Sequence, residues 1–165
     1  MYRMKLLLLS VLISCSFIAV AQRPGTISRE DFSLQFPADW TIDTDDPDYN
    51  PDSLFSLDAP DDASMIMFII IDMEIDEEEM TKNQVEAFSN LVKDAKITRF
   101  DTWGRYKGTG TMLSGLIMGH YKGNVRIFVR STGERTLLVV QQFYDVNYDE
   151  LKKGFELIER SFKFK

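Results

Sequence analysis

"SMIMFIIIDME", residues 64 to 74, is the stretch that decides the fold. In an extended chain successive side chains point to opposite sides. Met65, Met67, Ile69 and Ile71 then face one way, and Ile66, Phe68 and Ile70 the other. A strand that is apolar on both sides has to be covered on both sides. This favours a sheet held between two layers over one with a wet face.

Upstream, "DFSLQFPADWTID" (31–43) alternates, with Phe32, Leu34 and Phe36 on one side until Pro37 interrupts. Trp40 and Ile42 resume the pattern, so two strands about a Pro-Ala-Asp turn are expected. "SLFSLDAP" reads as another short strand, stopped by Pro60.

Downstream, Thr81 and Gln84 have capping-box spacing, and Asp76 to Glu79 place negative charge where a helix N-terminus favours it. Val85, Phe88, Leu91, Val92 and Ala95 repeat at helical intervals, which predicts an amphipathic helix over 82–95. From Ile97 to Phe143 the pattern is that of strands. Hairpin turns are expected at Lys122-Gly123-Asn124 and Thr132-Gly133-Glu134, with "NVRIFVRS" and "RTLLVVQQFY" pairing across the second. A last helix is expected from Tyr148 to Phe162, with Leu151, Phe155, Ile158 and Phe162 on one side. Nothing in this order alternates strand with helix as a parallel sheet requires. The expected fold is α+β, an antiparallel sheet carrying helices in a single domain over 22–165.

The start, "MYRMKLLLLSVLISCSFIAVAQ", has the form of an export signal: basic Arg3 and Lys5, an apolar run from Leu6 to Ile13, and Ala19-Val20-Ala21 before Gln22. The apolar run is short for a membrane-spanning helix. A second processing site competes with the first. Leu12-Ile13-Ser14-Cys15 resembles a bacterial lipobox, which would make Cys15 a lipid-bearing first residue; the apolar Phe17 to Val20 argue against that cut. Cleavage after Ala21 of the 165-residue chain leaves 144 residues, enough for one domain with a core. It also removes the only cysteine, and with it any thiol nucleophile or thiolate ligand. Without Arg3 and Lys5, 17 of the 19 basic residues face 26 acidic ones, a net charge of −9. That charge disfavours nucleic acid, and leaves lipidation at Cys15 as the one route to a membrane.

One short motif carries a resemblance. Phe32, Leu34, Phe36, Pro37 and Trp40 in "DFSLQFPADW" resemble the opening of PsbP-like domains, the superfamily of the photosystem II extrinsic subunit and a Ran-binding nucleotide-release factor. The later order of elements, ending in "ERSFKF", is similar over roughly residues 30 to 165. The resemblance implies a three-layer α/β/α sandwich with a central, mostly antiparallel sheet. It also implies accessory or partner-binding roles rather than catalysis, and it brings no catalytic residues to transfer.

The chemistry-bearing stretches are few. "DTDDPDYNPDS" (43–53) contains Asp46, Asp48, Asn50 and Asp52 at alternate positions, as at the start of a calcium loop. Pro51 stands where such a loop needs glycine, and Leu57 where it needs a bidentate Glu. Asp43, Asp58, Asp61 or Asp62 would have to complete the site. The competing reading is a solvated loop in which Asp and Asn cap their own backbone, and it is preferred. His120 is the sole histidine, so any Ser-His-Asp arrangement would depend on it, and no triad spacing accompanies it. "DEEE" (76–79) reads as a helix start rather than an acid/base pair. Met65, Met67, Met73, Met112 and Met118 read as core filler rather than as soft-metal ligands. The function expected is a non-enzymatic exported accessory or binding module of the bacterial envelope. It would be periplasmic, extracellular or lipid-anchored, dock a protein or small ligand, and carry no cofactor. The alternative is a calcium-dependent protein or hydrolase using loop 43–52.

Overall fold

The structure is a computed structural model that describes residues 23–164. The export signal, the Ala19–Ala21 cleavage site and Cys15 lie outside the described residues. Among those described, no helix is long and apolar enough to cross a membrane.

The central segment is a strand, as its alternation demands. β5 (Met65–Ile71) lies third in a seven-stranded sheet with β3 (Thr41–Asp43), β4 (Leu54–Asp58), β6 (Val92–Trp103), β7 (Tyr106–Ile117), β8 (Tyr121–Ser131) and β9 (Thr136–Tyr144). The order is β3-β4-β5-β9-β8-β7-β6, and every pairing is antiparallel. A second sheet of β1 (Gly25–Ser28), β2 (Phe32–Phe36) and β10 (Lys163–Phe164) packs beside α2 (Tyr148–Ser161) on one side. Helix α1 (Glu77–Ser89) lies on the other. The fold is an α+β sandwich, as expected.

The two layers cover β5 unequally. Ile66, Phe68 and Ile70 are buried against α2 and the small sheet. There, Phe32, Phe55, Phe68 and Phe162 stack in sequence, with ring centroids 5.0–5.2 Å apart along the chain of contacts. Trp103 closes the group edge-on to Phe162 at 5.4 Å. Met67 and Ile69 on the opposite side are only partly buried, at the margin of the cluster of Val125, Ile127, Leu138 and Val140 on which Met80, Val85 and Phe88 of α1 also pack.

The motif that suggested the fold is a packing device. Trp40 is buried and meets Phe155 of α2 edge-on at 4.9 Å. A Cβ at Gly154 would come 2.9 Å from the Trp40 ring and 3.0 Å from Pro37, so glycine lets α2 approach.

Three sequence expectations need correction. The helix begins at Glu77, capped by Asp76, whose carboxylate accepts from Glu79 N–H at 2.8 Å. Thr81 is no cap; it is buried within the helix. The helix stops at Ser89, and Val92 and Ala95 already belong to β6; Ser89 Oγ donates to the Val85 carbonyl at 2.6 Å near that end. Apolar residues at 91, 92 and 95 fitted the helical period while serving a strand, an ambiguity inherent to short apolar runs. Strands β2 and β3 flank the Pro37 turn but enter different sheets, so they do not pair. Finally, the β7–β8 turn is Met118-Gly119-His120, and Lys122 to Asn124 lie inside β8. Gly123 serves close packing there: a Cβ would meet Ile117 Cδ1 and the Phe143 carbonyl, each at 2.7 Å. The turn at 132–135 is where it was expected.

Candidate functional site

Helix α2 and the small sheet cover the β5–β9 part of their face completely, but β6, β7 and β8 extend past them. On β8, Asn124, Arg126, Phe128 and Arg130 share this side by strand alternation. Phe128 is buried and Arg126 is partly exposed, so the boundary between roofed and open sheet runs between them. Beyond it lies a groove between α2 and the bare strands. One cleft of about 460 Å³ is lined by Met112, Asn124, Arg126, Phe143, Asp145 and Tyr148. A second runs on past Tyr148 to Glu156, Glu159, Gly104 and Arg105.

Arg126 is the centre of this site. Its guanidinium donates to Gln141 Oε1 at 3.0 Å, pairs with Glu159 Oε2 at 3.5 Å, and lies 4.8 Å above the Phe100 ring. The Arg126 and Glu159 side chains are 25% and 23% exposed, enough for solvent to weaken the pair without removing it. Glu159 is fixed from the other side by Gly104 N–H at 2.8 Å. Gly104 needs its φ of +57° for the β6–β7 turn, and a Cβ there would lie 2.5 Å from the Glu159 carbonyl. Ser114 Oγ donates to Asn124 Oδ1 at 2.6 Å, and Asn124 Nδ2 donates to Asp145 at 2.8 Å. Phe143 and Tyr148, stacked at 4.6 Å, form the apolar wall. Gln141, 1% exposed, holds its amide nitrogen without a partner among the described residues. A buried donor left unpaired costs about 1–3 kcal/mol. The groove thus offers fixed donors, acceptors and aromatic surface. It suits recognition.

The stretches singled out from sequence lie elsewhere. Asp46, Asp48, Asn50 and Asp52 sit between β3 and β4. The Asp43, Asp46 and Asn50 side chains accept from the N–H two residues on, at 2.9, 2.8 and 3.0 Å, and Asp52 pairs with Arg29. Among the described residues no three His, Cys, Asp or Glu side chains are grouped to hold a metal ion. Asp61 has a different role. Partial burial would raise its pKa, but hydrogen bonds from Asn147, Ser64 and Ala63 outweigh that and hold it below the usual carboxylate range. Burial, with Asp43 and Asp62 nearby, raises Asp58.

His120 is on the exposed β7–β8 turn beside Tyr121, and neither a serine nor a carboxylate is bonded to it among the described residues. Of "DEEE", Asp76 caps α1. Glu77 accepts from Ser131 N–H at 2.8 Å and Thr109 Oγ1 at 3.3 Å, tying α1 to the sheet. Met65, Met67 and Met112 are half-buried in the sheet, whereas Met73 and Met118 are 57% and 69% exposed, so the filler reading fails for those two.

Sequence reasoning missed Arg126, Gln141 and Glu159. A signal existed in "NVRIFVRS": Asn, Arg and Arg fall on the same strand side as Phe128, which is odd for a uniformly covered face.

Solved structures share this fold. The cyanobacterial PsbP of Synechocystis superposes with a TM-score of 0.54 at 14% identity, covering 93% of this chain and 99% of its own. The fold is that of the PsbP-like proteins. LpqN of Mycobacterium tuberculosis, described as involved in cell envelope biogenesis, gives a TM-score of 0.53 at 15% identity and covers 87% and 91%. The Ran-binding protein Mog1p of Saccharomyces cerevisiae gives 0.52 at 8%, covering 87% and 96%. At such identities a PsbP-like likeness speaks for architecture alone. No protein-family model matches the chain, and no curated protein matches its sequence.

Proposed function

We propose that this chain is an exported, non-enzymatic accessory module of a bacterial cell envelope that holds a protein or small ligand in the groove beside α2. The observation that carries the reading is the Arg126 centre: charged and polar groups fixed in position at the edge of the covered sheet, lining a cleft with the aromatic wall of Phe143 and Tyr148. The export-type N-terminus and the envelope role named for LpqN support the compartment. The dispersal of His120, the serines and the carboxylates supports binding over hydrolysis.

A photo-reactive residue placed at Met112 and irradiated in the native envelope fraction tests it. One discrete adduct is expected from Met112 and none from a control at Lys82, on the opposite layer. Adducts at both positions, or at neither, would remove the reading. Mass spectrometry of the mature N-terminus tests export separately: a start at Gln22 or at lipid-bearing Cys15 is expected, and an intact Met1 would end it.

A further inference from the structure

The charge of this protein is segregated along its sheet. Residues 41–74, which form the β3-β4-β5 end, contain ten carboxylates and no Lys or Arg. Residues 92–131, which form the β8-β7-β6 end, contain eight Lys or Arg against two Asp. The outermost strands are separated by six strand spacings, about 28 Å. That is more than three Debye lengths at physiological salt, about 8 Å each. Helix α1, which packs on these strands, adds Asp76, Glu77, Glu78, Glu79 and Glu86 against Lys82, and its Glu77 and Glu78 pair with Arg130 and Arg99; a modest excess of positive charge is left at the β6 end.

β6 is also structurally bare. Among the described residues its one hydrogen-bonded neighbour is β7, and no strand pairs with its other edge. From Lys93 to Thr102 every residue is exposed except Ala95 and Phe100, which are half-buried, and Ile97 is 55% exposed on both a free edge and an open face. Irregularities at Asp94 (φ +54°) and between Phe100 and Thr102 bracket a regular stretch, Lys96–Phe100. Lysines and bulges of this kind deter pairing between sheets. A positively charged edge deters neutral and basic strands most, and an acidic one least.

We propose that the β6 edge accepts an extended acidic segment of a partner protein as an added strand, paired along Lys96–Phe100, with one carboxylate set against Lys96 on one face and another, in competition with Glu78, against Arg99 on the other. The surface is the edge of β6 and adjoins the α2 groove only at Phe100, beneath Arg126, and it does not depend on the groove's occupant. A second copy of this chain is a poorer occupant: its acidic edge strand, β3, has three residues and is followed by Pro47.

The test is to pan a displayed library of random ten-residue peptides against the mature chain, immobilised at its C-terminus. Enriched sequences are expected to place Asp or Glu three positions apart, one carboxylate on each face of the added strand. A K96E/R99E variant, altered only at exposed side chains and checked by circular dichroism, is expected to bind the best peptide at least tenfold more weakly. N-methylation of that peptide at alternate amides, which keeps charge but removes strand bonding, is expected to abolish binding. Absence of enrichment, neutral or basic enriched sequences, indifference to K96E/R99E, or full binding by the methylated peptide would each overturn the proposal. So would binding of phosphatidylglycerol vesicles through Lys96 and Arg99, or a concentration-dependent dimer that K96E/R99E dissolves. The Met112 cross-link should survive K96E/R99E, which separates failure here from failure of the groove.

Discussion

The two helices hold the same sheet by different means. α2 buries Leu151, Gly154, Phe155 and Ile158 against an aromatic interior, whereas α1 buries only Thr81. α1 adds polar ties at its first turn to the half-buried packing of Met80, Val85 and Phe88: Glu77 bonds to Ser131 and Thr109 and pairs with Arg130, and Glu78 pairs with Arg99 across exposed surface. Area removed from water stabilises at roughly 25 cal/mol per Å², while an exposed ion pair contributes about 0–1 kcal/mol. The difference teaches that a strand apolar on both faces need not be sealed equally on both. β5 has one dry side and one that is half-open.

The largest expected effect breaks or upholds this contrast directly. Phe162→Ala, which empties a fully buried site touching Phe68 and Trp103, should cost about 3–5 kcal/mol in urea unfolding. Phe88→Ala in half-exposed α1 should cost clearly less, roughly 1–2 kcal/mol. Equal losses would mean that α1 is as well seated as α2.

Gly154→Ala comes next. The added methyl crowds Trp40 and Pro37, and overpacking of about 1–3 kcal/mol should outweigh the helix-propensity gain of about 1 kcal/mol. A lower Tm is expected; a higher one would show that the α2 contact has slack. Glu77→Gln should cost about 1 kcal/mol and speed amide exchange in α1 while leaving α2 protection unchanged. Exchange rising in both helices would deny their independence.

Smaller still is the effect at Asp58, on the α1 side of β4. Its folded pKa lies above the unfolded value, so the folded state binds the extra proton and stability falls as pH rises through that window. Asp58→Asn should therefore raise Tm slightly at neutral pH and flatten the acid-side pH dependence; a lower Tm would contradict the stated cause. The smallest effect is assigned to loop 43–52, which belongs to neither layer. Because Asp43, Asp46 and Asn50 already serve its backbone, millimolar calcium should leave Tm and the calorimetric baseline unchanged. A clear Tm rise reversed by EDTA would return the loop to the list of sites.

Much of the architecture was legible residue by residue. The two-sided apolarity of Met65–Ile71, the alternation of β8, and Leu151, Phe155 and Ile158 of α2 each encode their partner layer through a local period. The end of α1 was not legible, because Leu91, Val92 and Ala95 satisfy a helical repeat and a strand equally well. Nor was the β7–β8 turn: Gly119 and Gly123 look alike in sequence, yet one has φ of +76° and the other is squeezed between Ile117 and Phe143.

The sequence by itself determined the export-type start, the acidic balance, the strand-rich composition and the central two-faced strand, since each depends on neighbours a few positions away. Only the tertiary structure decided the groove and the polarised sheet. Arg126, Gln141 and Glu159 meet across as many as 33 positions because α2 returns over β9 and β8. Charge that looks merely uneven along the chain becomes two opposite edges only when antiparallel pairing inserts β9 between the early strands and the late ones. Contacts of that range are set by layer packing, which no local period encodes.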